Sequence, residues 1–287
     1  MKKHLLHLFI WIFSIPYLFG QYNSNHLLWK ISGNGLKKES FVYGTIHMTC
    51  NNELPAKVTS ALNKAEKLVL EIKMDDPELM AKSMQVMQMK DGTRISSMVT
   101  SEQMELMNQF FIKHLGFPLK ALDQAKPALL QALFYSKMLD CSKATSIEQL
   151  LMNVAKSNDL EVLGLETIES QMAIFDQIPY QTQVEDLWQM VQNNQESEKS
   201  EFLELLELYQ KEAIDAMITG MEKSKNKTSA EFKEILLDQR NQNWIAPMLQ
   251  LMQEKSCLFG VGAAHLGGEN GVLELLRKKG YQVTPIN

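Results

Sequence analysis

The chain has 287 residues, of which 45% are hydrophobic and 22% are charged, a composition typical of a globular protein that buries a core. Its net charge of −5 and pI of about 5.8 argue against a nucleic-acid-binding protein, because such proteins usually present a basic face.

Residues 1–20 have the pattern of a secretory signal peptide. Lys2 and Lys3 precede an apolar stretch over 5–19, and cleavage is expected near Gly20. This apolar stretch is shorter and more interrupted than a transmembrane helix usually is. We therefore expect a periplasmic or secreted protein without a stable membrane span after cleavage, and an uncleaved anchor is the alternative. The rest, 21–287, is expected to form one α/β domain.

The first unit, about 25–75, predicts a β-hairpin followed by a strand–helix–strand segment. Two short apolar runs are joined by the turn signal at 33–35, and the second run leads into Gly44-Thr45-Ile46-His47. A helix over 54–67 and an apolar strand over 68–72, which carries Glu71, complete the unit.

The middle, about 76–254, is predicted to be a large helical insertion interrupted by one strand. That strand, 161–166, ends on Glu166. Apolar residues at three- to four-residue spacing predict helices, and the polar stretches 193–200 and 224–229 are expected to be connections. The predicted helices are 77–90, 101–115, 124–140, 146–158, 167–176, 184–192, 200–220 and 229–253.

The last unit repeats the order of the first. A strand over 257–261 leads into Gly262-Ala263-Ala264-His265, and a helix over 271–279 with Gly280 as its C-cap precedes a closing strand. Strand, Gly-x-x-His, helix and strand thus occur at both ends of the chain. We interpret this as a weak internal repeat within a central mixed sheet, although any α/β protein contains such units.

His47 and His265 are the first candidates for chemistry. Each follows a predicted strand and a glycine, the position at which open α/β sheets place their ligands. Imidazole suits divalent transition metals and proton transfer near neutral pH. A lone histidine is more often structural, but two in matching contexts favour one shared metal or acid–base site.

Glu71, Glu166 and Arg240 are the next candidates. The two glutamates stand at strand ends, so they would lie at the same sheet edge as the two histidines if the strands are parallel. A carboxylate there can bind a metal or act as a general base. Arg240 lies in a predicted helix and could stabilise an oxyanion from a cleft. The alternatives are a helix cap or ion pair for each glutamate and a surface position for the arginine.

The three cysteines leave at least one thiol unpaired within a monomer. Cys257 lies in a strand pattern and is expected to be buried, whereas Cys50 and Cys141 lie at loop-like positions and are the favoured pair. There is no Cys-x-x-Cys, His-Glu-x-x-His, Gly-x-Ser-x-Gly or phosphate-binding glycine loop with lysine. A zincin helix, a serine-hydrolase elbow and a P-loop are therefore excluded.

These motifs, in their order and spacing, resemble the TraB/GumN family, which is related to the Tiki metalloproteases. The resemblance covers about 29–287, nearly all of the mature chain. It rests on five matching pieces: 43–47, Glu71, 164–171, Arg240-Asn241 with Trp244, and 260–271. It implies an α/β fold with paired Gly-x-x-His units. For the Tiki branch it also implies metal-dependent peptidase activity.

The candidate residues and this resemblance together predict an exported metal-dependent hydrolase, and a peptide substrate is what the resemblance implies. His47 and His265 would hold a divalent ion such as Mn, Co or Zn with Glu71 or Glu166, the other glutamate would activate water, and Arg240 would stabilise negative charge. One alternative is a non-catalytic haem- or metal-binding protein of the same fold. Another is a scaffold that binds a partner through its helical middle.

Overall fold

A computed structural model describes residues 25–287. The predicted signal peptide at 1–20, with its cleavage site, lies outside the described residues. Within 25–287 the protein is mixed α/β, as the sequence predicts, with a six-stranded sheet and twelve α-helices.

The sheet has the strand order β4-β3-β5-β2-β1-β6. Strands β2, β5, β3 and β4 pair in parallel, and β1 runs antiparallel to both β2 and β6. The strands are β1 Leu28–Ser32, β2 Ser40–Thr45, β3 Lys67–Ile72, β4 Glu161–Glu166, β5 Cys257–Gly262 and β6 Gln282–Pro285. The carboxyl ends of four parallel neighbours consequently meet at one edge of the sheet.

The twelve α-helices within the described residues pack around the sheet and against one another. Their bounds are α1 Ala56–Lys64, α2 Leu79–Val86, α3 Ser101–Leu115, α4 Pro127–Met138, α5 Ile147–Ser157, α6 Ile168–Ala173, α7 Tyr180–Gln192, α8 Glu196–Gln210, α9 Ile214–Glu222, α10 Lys227–Glu231, α11 Gln239–Glu254 and α12 Val272–Lys278. None of the helices within 25–287 has the length and apolar character needed to cross a membrane.

Two hydrophobic clusters hold the structure together. The larger one covers both faces of the sheet and contains fully buried Trp29, Tyr43 and Phe259. The smaller one lies among α3, α4 and α7 around Phe111 and Phe134. Burial of such side chains contributes about 1.5–3 kcal/mol each, so both clusters stabilise the fold.

Local signals explain several element boundaries. Gly33 and Gly35 take φ values of +80° and +81°, which only glycine adopts without strain, and they close the β1–β2 hairpin as predicted. The C-cap of α12 is Lys279, and Gly280, the predicted C-cap, follows it with φ +89°. Ser146 caps α5 by accepting from the Gln149 amide.

The predicted helix over 200–220 is wrong, because α8 and α9 are separate helices. Glu212 has φ +55° between them, a backbone conformation that ends a helix. The predicted connection over 193–200 is also partly wrong, since α8 already begins at Glu196. In place of one helix over 229–253, α10, a π-helix at Glu234–Asp238 and α11 follow one another.

Cys50 and Cys141 form the predicted disulfide, and Cys257 is free and buried. Beside the disulfide, the amides of Thr49 and Thr145 each donate to the other residue's carbonyl, at 2.8 and 2.9 Å. The disulfide and these bonds join the segment after β2 to the segment before α5.

Candidate functional site

The candidate site lies at the edge where the parallel strands end. Thr45 and Glu166 are the last residues of β2 and β4, Gly262 ends β5, and Glu71 is the penultimate residue of β3. The predicted strand-end glutamates are thus brought to the same edge, with each Gly-x-x-His segment beside them.

Arg240, from the first turn of α11, joins the two glutamates. Its Nη2 donates to Glu71 Oε2 and to Glu166 Oε1, both at 2.5 Å, and its Nε donates to Glu166 Oε1 at 3.1 Å. Gln171 Nε2 donates to the same two carboxylates at 3.0 Å. The three charged side chains are 10–12% exposed, so these bonds lie in a largely desolvated environment.

The remaining N–H groups of Arg240 are also engaged. Nη1 donates to the Leu236 carbonyl at 3.1 Å and lies 2.9 Å from His265 Nε2. A guanidinium has five N–H groups and no acceptor, so every N–H of Arg240 has a partner. The residue is consequently held in place rather than free to reach into a cleft, and the preceding π-helix supplies one of its anchors.

His265 is buried and held as a single tautomer. Because Arg240 can only donate, His265 Nε2 is the acceptor, and the ring proton resides on Nδ1. Nδ1 then donates to Asn241 Oδ1 at 2.7 Å, while Asn241 Nδ2 donates to the Asn270 carbonyl at 2.9 Å. The Trp244 ring packs 4.5 Å from the His265 ring.

The electrostatics of the cluster follow from burial and from Arg240. Burial lowers the pKa of His265 to about 3, so the imidazole is neutral near pH 7. Burial would raise the pKa of Glu71, but the neighbouring His265, Arg240 and His47, with the Gly262 amide, lower it to about 2. Glu71 is therefore a carboxylate beside a neutral imidazole.

His47 has a different environment. Its side chain is 76% exposed, and Nδ1 lies 2.8 Å from Glu148 Oε1, which also accepts from the Thr45 hydroxyl at 2.6 Å. Glu148 comes from the first turn of α5 and is only 8% exposed. The hydrogen bond to Glu148 raises the pKa of His47 to about 9. A buried carboxylate thus orients an exposed imidazole.

Two glycines explain how the Gly-x-x-His segments fit together. A Cβ on Gly44 would lie 2.9 Å from Leu266 Cδ1 and 3.1 Å from Ala263 Cα, so the first motif packs tightly against the second. The amide of Gly262 donates to Glu71 Oε1 at 2.8 Å. The glycines therefore permit close packing and supply a backbone donor.

A pocket of about 270 Å³ opens over this edge. Its lining includes His47, Glu71, Glu148 and Gln171. Glu148 Oε2 is buried there and has no hydrogen-bond partner among residues 25–287. A buried oxygen without a partner is unfavourable, which suits a ligand that brings a donor or a cation.

The two histidines differ in the donor atoms that they present to a divalent ion. In both histidines Nδ1 is held by a neighbouring oxygen, as is usual in metal sites, but the pKa of about 9 keeps both ring nitrogens of His47 protonated near pH 7. Arg240 now donates to His265 Nε2. Within 25–287 no group of three or more His, Cys, Asp or Glu side chains is arranged to hold a metal. The metal site therefore stays a prediction.

The structure brings Glu71, Glu166, Arg240 and His265 into one cluster and places His47 at the adjoining pocket. Sequence reasoning did not assign roles to Glu148, Gln171 or Asn241. For Glu148 the signal was weak, because a glutamate in the first turn of a helix is normally a solvated charge. Gln171 and Asn241 stood within the family-like segments but offered no chemistry of their own.

Comparison with known proteins gives a family match over nearly the whole chain. A sequence model described as the TraB/PrgY/gumN family matches residues 27–285. Neither a curated protein nor a solved structure matches the chain.

Proposed function

The chain belongs to the TraB/PrgY/gumN family, and from this premise and the site geometry we propose that it is an exported, metal-dependent hydrolase that cleaves peptide bonds. The observation that carries the proposal is the pocket in which the His47–Glu148 pair faces Glu71, itself fixed by Arg240. The Cys50–Cys141 disulfide supports export, because disulfides persist mainly in oxidising compartments.

In this proposal His47 and His265 would hold the divalent ion together with Glu71 or Glu166. A bound ion would polarise the scissile carbonyl and lower the pKa of water. Glu148 and Asn241 orient the two rings through Nδ1, and an ion would have to displace the Nε2 proton of His47. Arg240 must release His265 Nε2 for ligation, since its Nη1 donates there.

The carboxylates and Arg240 have separate roles in the proposed reaction. The glutamate that is not a ligand accepts the proton of the attacking water, the role of a general base. Arg240 would supply positive charge near the developing negative charge, while its Nη2 keeps its bonds to both glutamates. A preorganised charge in a desolvated site stabilises a transition state more than a solvated one.

The test is hydrolysis of a peptide library, read by mass spectrometry, with Mn²⁺, Co²⁺, Zn²⁺ or EDTA present, together with elemental analysis of the purified protein. We expect one of the ions to support cleavage and EDTA to abolish it. His47→Gln should lower the rate by roughly 10²–10⁴-fold, the range of a lost acid–base or ligand group.

His26→Gln is the matched control, because His26 forms its ion-pair contact with Glu212 rather than with site residues. No cleavage with any ion, and no metal retained by the protein, would overturn the proposal. A haem absorbance band after reconstitution, again without cleavage, would instead support the binding-protein alternative.

A further inference from the structure

We propose that a second pocket beside His47 is a specificity site that binds an apolar, positively charged segment of the peptide substrate. This proposal rests on the proposed function and names the class of substrate. The pocket has a volume of about 360 Å³ and lies among α4, α8, α9 and the two Gly-x-x-His segments.

The wall of this pocket is mainly apolar. Phe202, Leu205 and Leu208 of α8 face it together with Met217 of α9 and Tyr135 of α4. Met217 and Phe202 are buried within the two hydrophobic clusters. An apolar cavity of this size accepts one or two large side chains, and methionine adapts to their shape.

The charge of the lining is acidic. Glu198, Glu201 and Glu204 lie along one face of α8, and His47 is the only basic side chain among the described residues that line the pocket. Three carboxylates beside an apolar wall attract a cation, and they disfavour an acidic or acyl-carboxylate ligand. A lysine or arginine side chain next to an apolar residue meets both requirements.

Two buried polar atoms point to a missing partner. Gln131 Nε2 and Glu198 Oε2 have no hydrogen-bond partner within 25–287, although both side chains line the pocket. Gln131 is only 6% exposed. Gln131 Nε2 is a donor and Glu198 Oε2 is an acceptor. The C=O and N–H groups of a peptide backbone can satisfy both.

The pocket adjoins the candidate site at His47, which lines both cavities. Ile46 and Ala264 extend the lining into each Gly-x-x-His segment. A peptide that places an apolar and a basic side chain among α8 and α9 would thus present its neighbouring bond beside His47. The pocket would select which bond is cleaved.

Gly220 offers a way to block the pocket without disturbing the fold. It lies in α9, lines the pocket, and has no heavy atom within 4 Å of an added Cβ. Gly220→Leu should therefore place an isobutyl group in open space. Thr219→Leu adds the same group at an exposed neighbouring position outside the lining and is the matched control.

The experiment measures binding of dansyl hexapeptides to the purified mature protein in EDTA, by fluorescence anisotropy. One peptide contains Phe-Lys-Leu in an alanine background, the second Phe-Glu-Leu, and the third Ala-Lys-Ala. We expect the first to bind at least tenfold more tightly than the others. Gly220→Leu should weaken it at least tenfold, Thr219→Leu less than twofold, and Glu198→Gln should reduce the preference for lysine over glutamate.

Equal binding of the three peptides, or unchanged binding to Gly220→Leu, would overturn the proposal. A neutral dansyl acyl amide that binds more tightly than the Phe-Lys-Leu peptide would also overturn it, in favour of a lipid-like ligand. Selective binding without cleavage under any metal condition would support the pocket and contradict the hydrolase. If Gly220→Leu cleaves peptides as fast as the wild type does, the hydrolase is supported and the specificity pocket is contradicted.

Discussion

Arg240 Nη1 lies 2.9 Å from His265 Nε2 and donates to it, so this guanidinium sets the tautomer of a histidine 25 positions away in sequence. Its Nη2 simultaneously binds Glu71 and Glu166. One arginine therefore organises both strand-end glutamates and the second Gly-x-x-His motif.

Replacing Arg240 by methionine should destabilise the protein. The change leaves two largely buried carboxylates, Glu71 and Glu166, without their cation, and loss of one partner of a buried ion pair costs about 3–5 kcal/mol. Urea denaturation followed by circular dichroism measures the change. Arg94→Met, at a 54% exposed arginine paired with Asp123, is the control and should change stability by less than about 1 kcal/mol.

Glu148→Gln should lower activity more than stability. The amide keeps the size of the carboxylate but no longer fixes His47 as a charged acceptor, and loss of such an outer partner typically reduces activity or metal affinity about 10–100-fold. Peptide hydrolysis and metal titration check this. Glu185→Gln, which removes an exposed ion pair with Lys227, should leave both unchanged, and equal activities of the two variants would contradict the role of Glu148.

Asp176→Asn should lower the free energy of unfolding near neutral pH. Asp176 pairs with buried Lys126 at 3.0 Å, and both side chains are under 10% exposed. Burial would raise the pKa of Asp176, but Tyr180 and Lys126 hold it below its ordinary value of 3.8.

Because the folded-state pKa is depressed, this contribution is present above pH 3.8 and is lost as the pH falls through the lower folded value. Removing the Asp176 carboxylate leaves the buried ammonium group of Lys126 without its carboxylate partner, at a cost of about 3–5 kcal/mol. At pH 7 the melting temperature of Asp176→Asn should lie below that of the wild type. The gap between the two melting temperatures should narrow below pH 3.8. A gap that stays constant across this pH range would contradict the assignment.

Loss of the disulfide should affect both stability and the site. Cys50 and Cys141 are separated by 91 residues, and removing such a crosslink costs about 2–5 kcal/mol. The crosslinked segments flank His47 and Glu148, so a Cys50→Ser, Cys141→Ser double variant should also lose hydrolysis. Cys257→Ser, at the free buried thiol, is the comparison. Activity of the double variant equal to that of wild type would contradict a role of the disulfide in positioning His47 and Glu148.

Gly44→Ala and Gly220→Ala should change stability in opposite directions. A methyl group on Gly44 meets Leu266 and Ala263 at 2.9 and 3.1 Å, and overpacking of this kind costs about 1–3 kcal/mol. At Gly220 there is open space within a helix, where alanine gains up to about 1 kcal/mol. Melting temperatures of the two variants that shift together would contradict the close packing of the two motifs.

Much of this organisation was predictable from the sequence. Alternation and turn glycines predicted β1 and β2, and apolar periodicity predicted helices such as α3, because both signals come from local burial patterns. The strand-end positions of Glu71 and Glu166 predicted a common edge. The break between α8 and α9 was missed because it depends on the backbone of Glu212, which the apolar pattern does not encode.

The sequence alone determined the α/β class, the family and the residues with chemistry at the strand ends, since these depend on local pattern and residue type. Only the tertiary structure decided that His265 is buried and neutral while His47 is exposed and paired with Glu148. The two motifs look alike in sequence, but α11 covers the second with Arg240 and Asn241, and α5 brings Glu148 to the first. Such contacts join residues far apart in the chain, and solvation and hydrogen bonding at each ring depend on those contacts rather than on the motif itself.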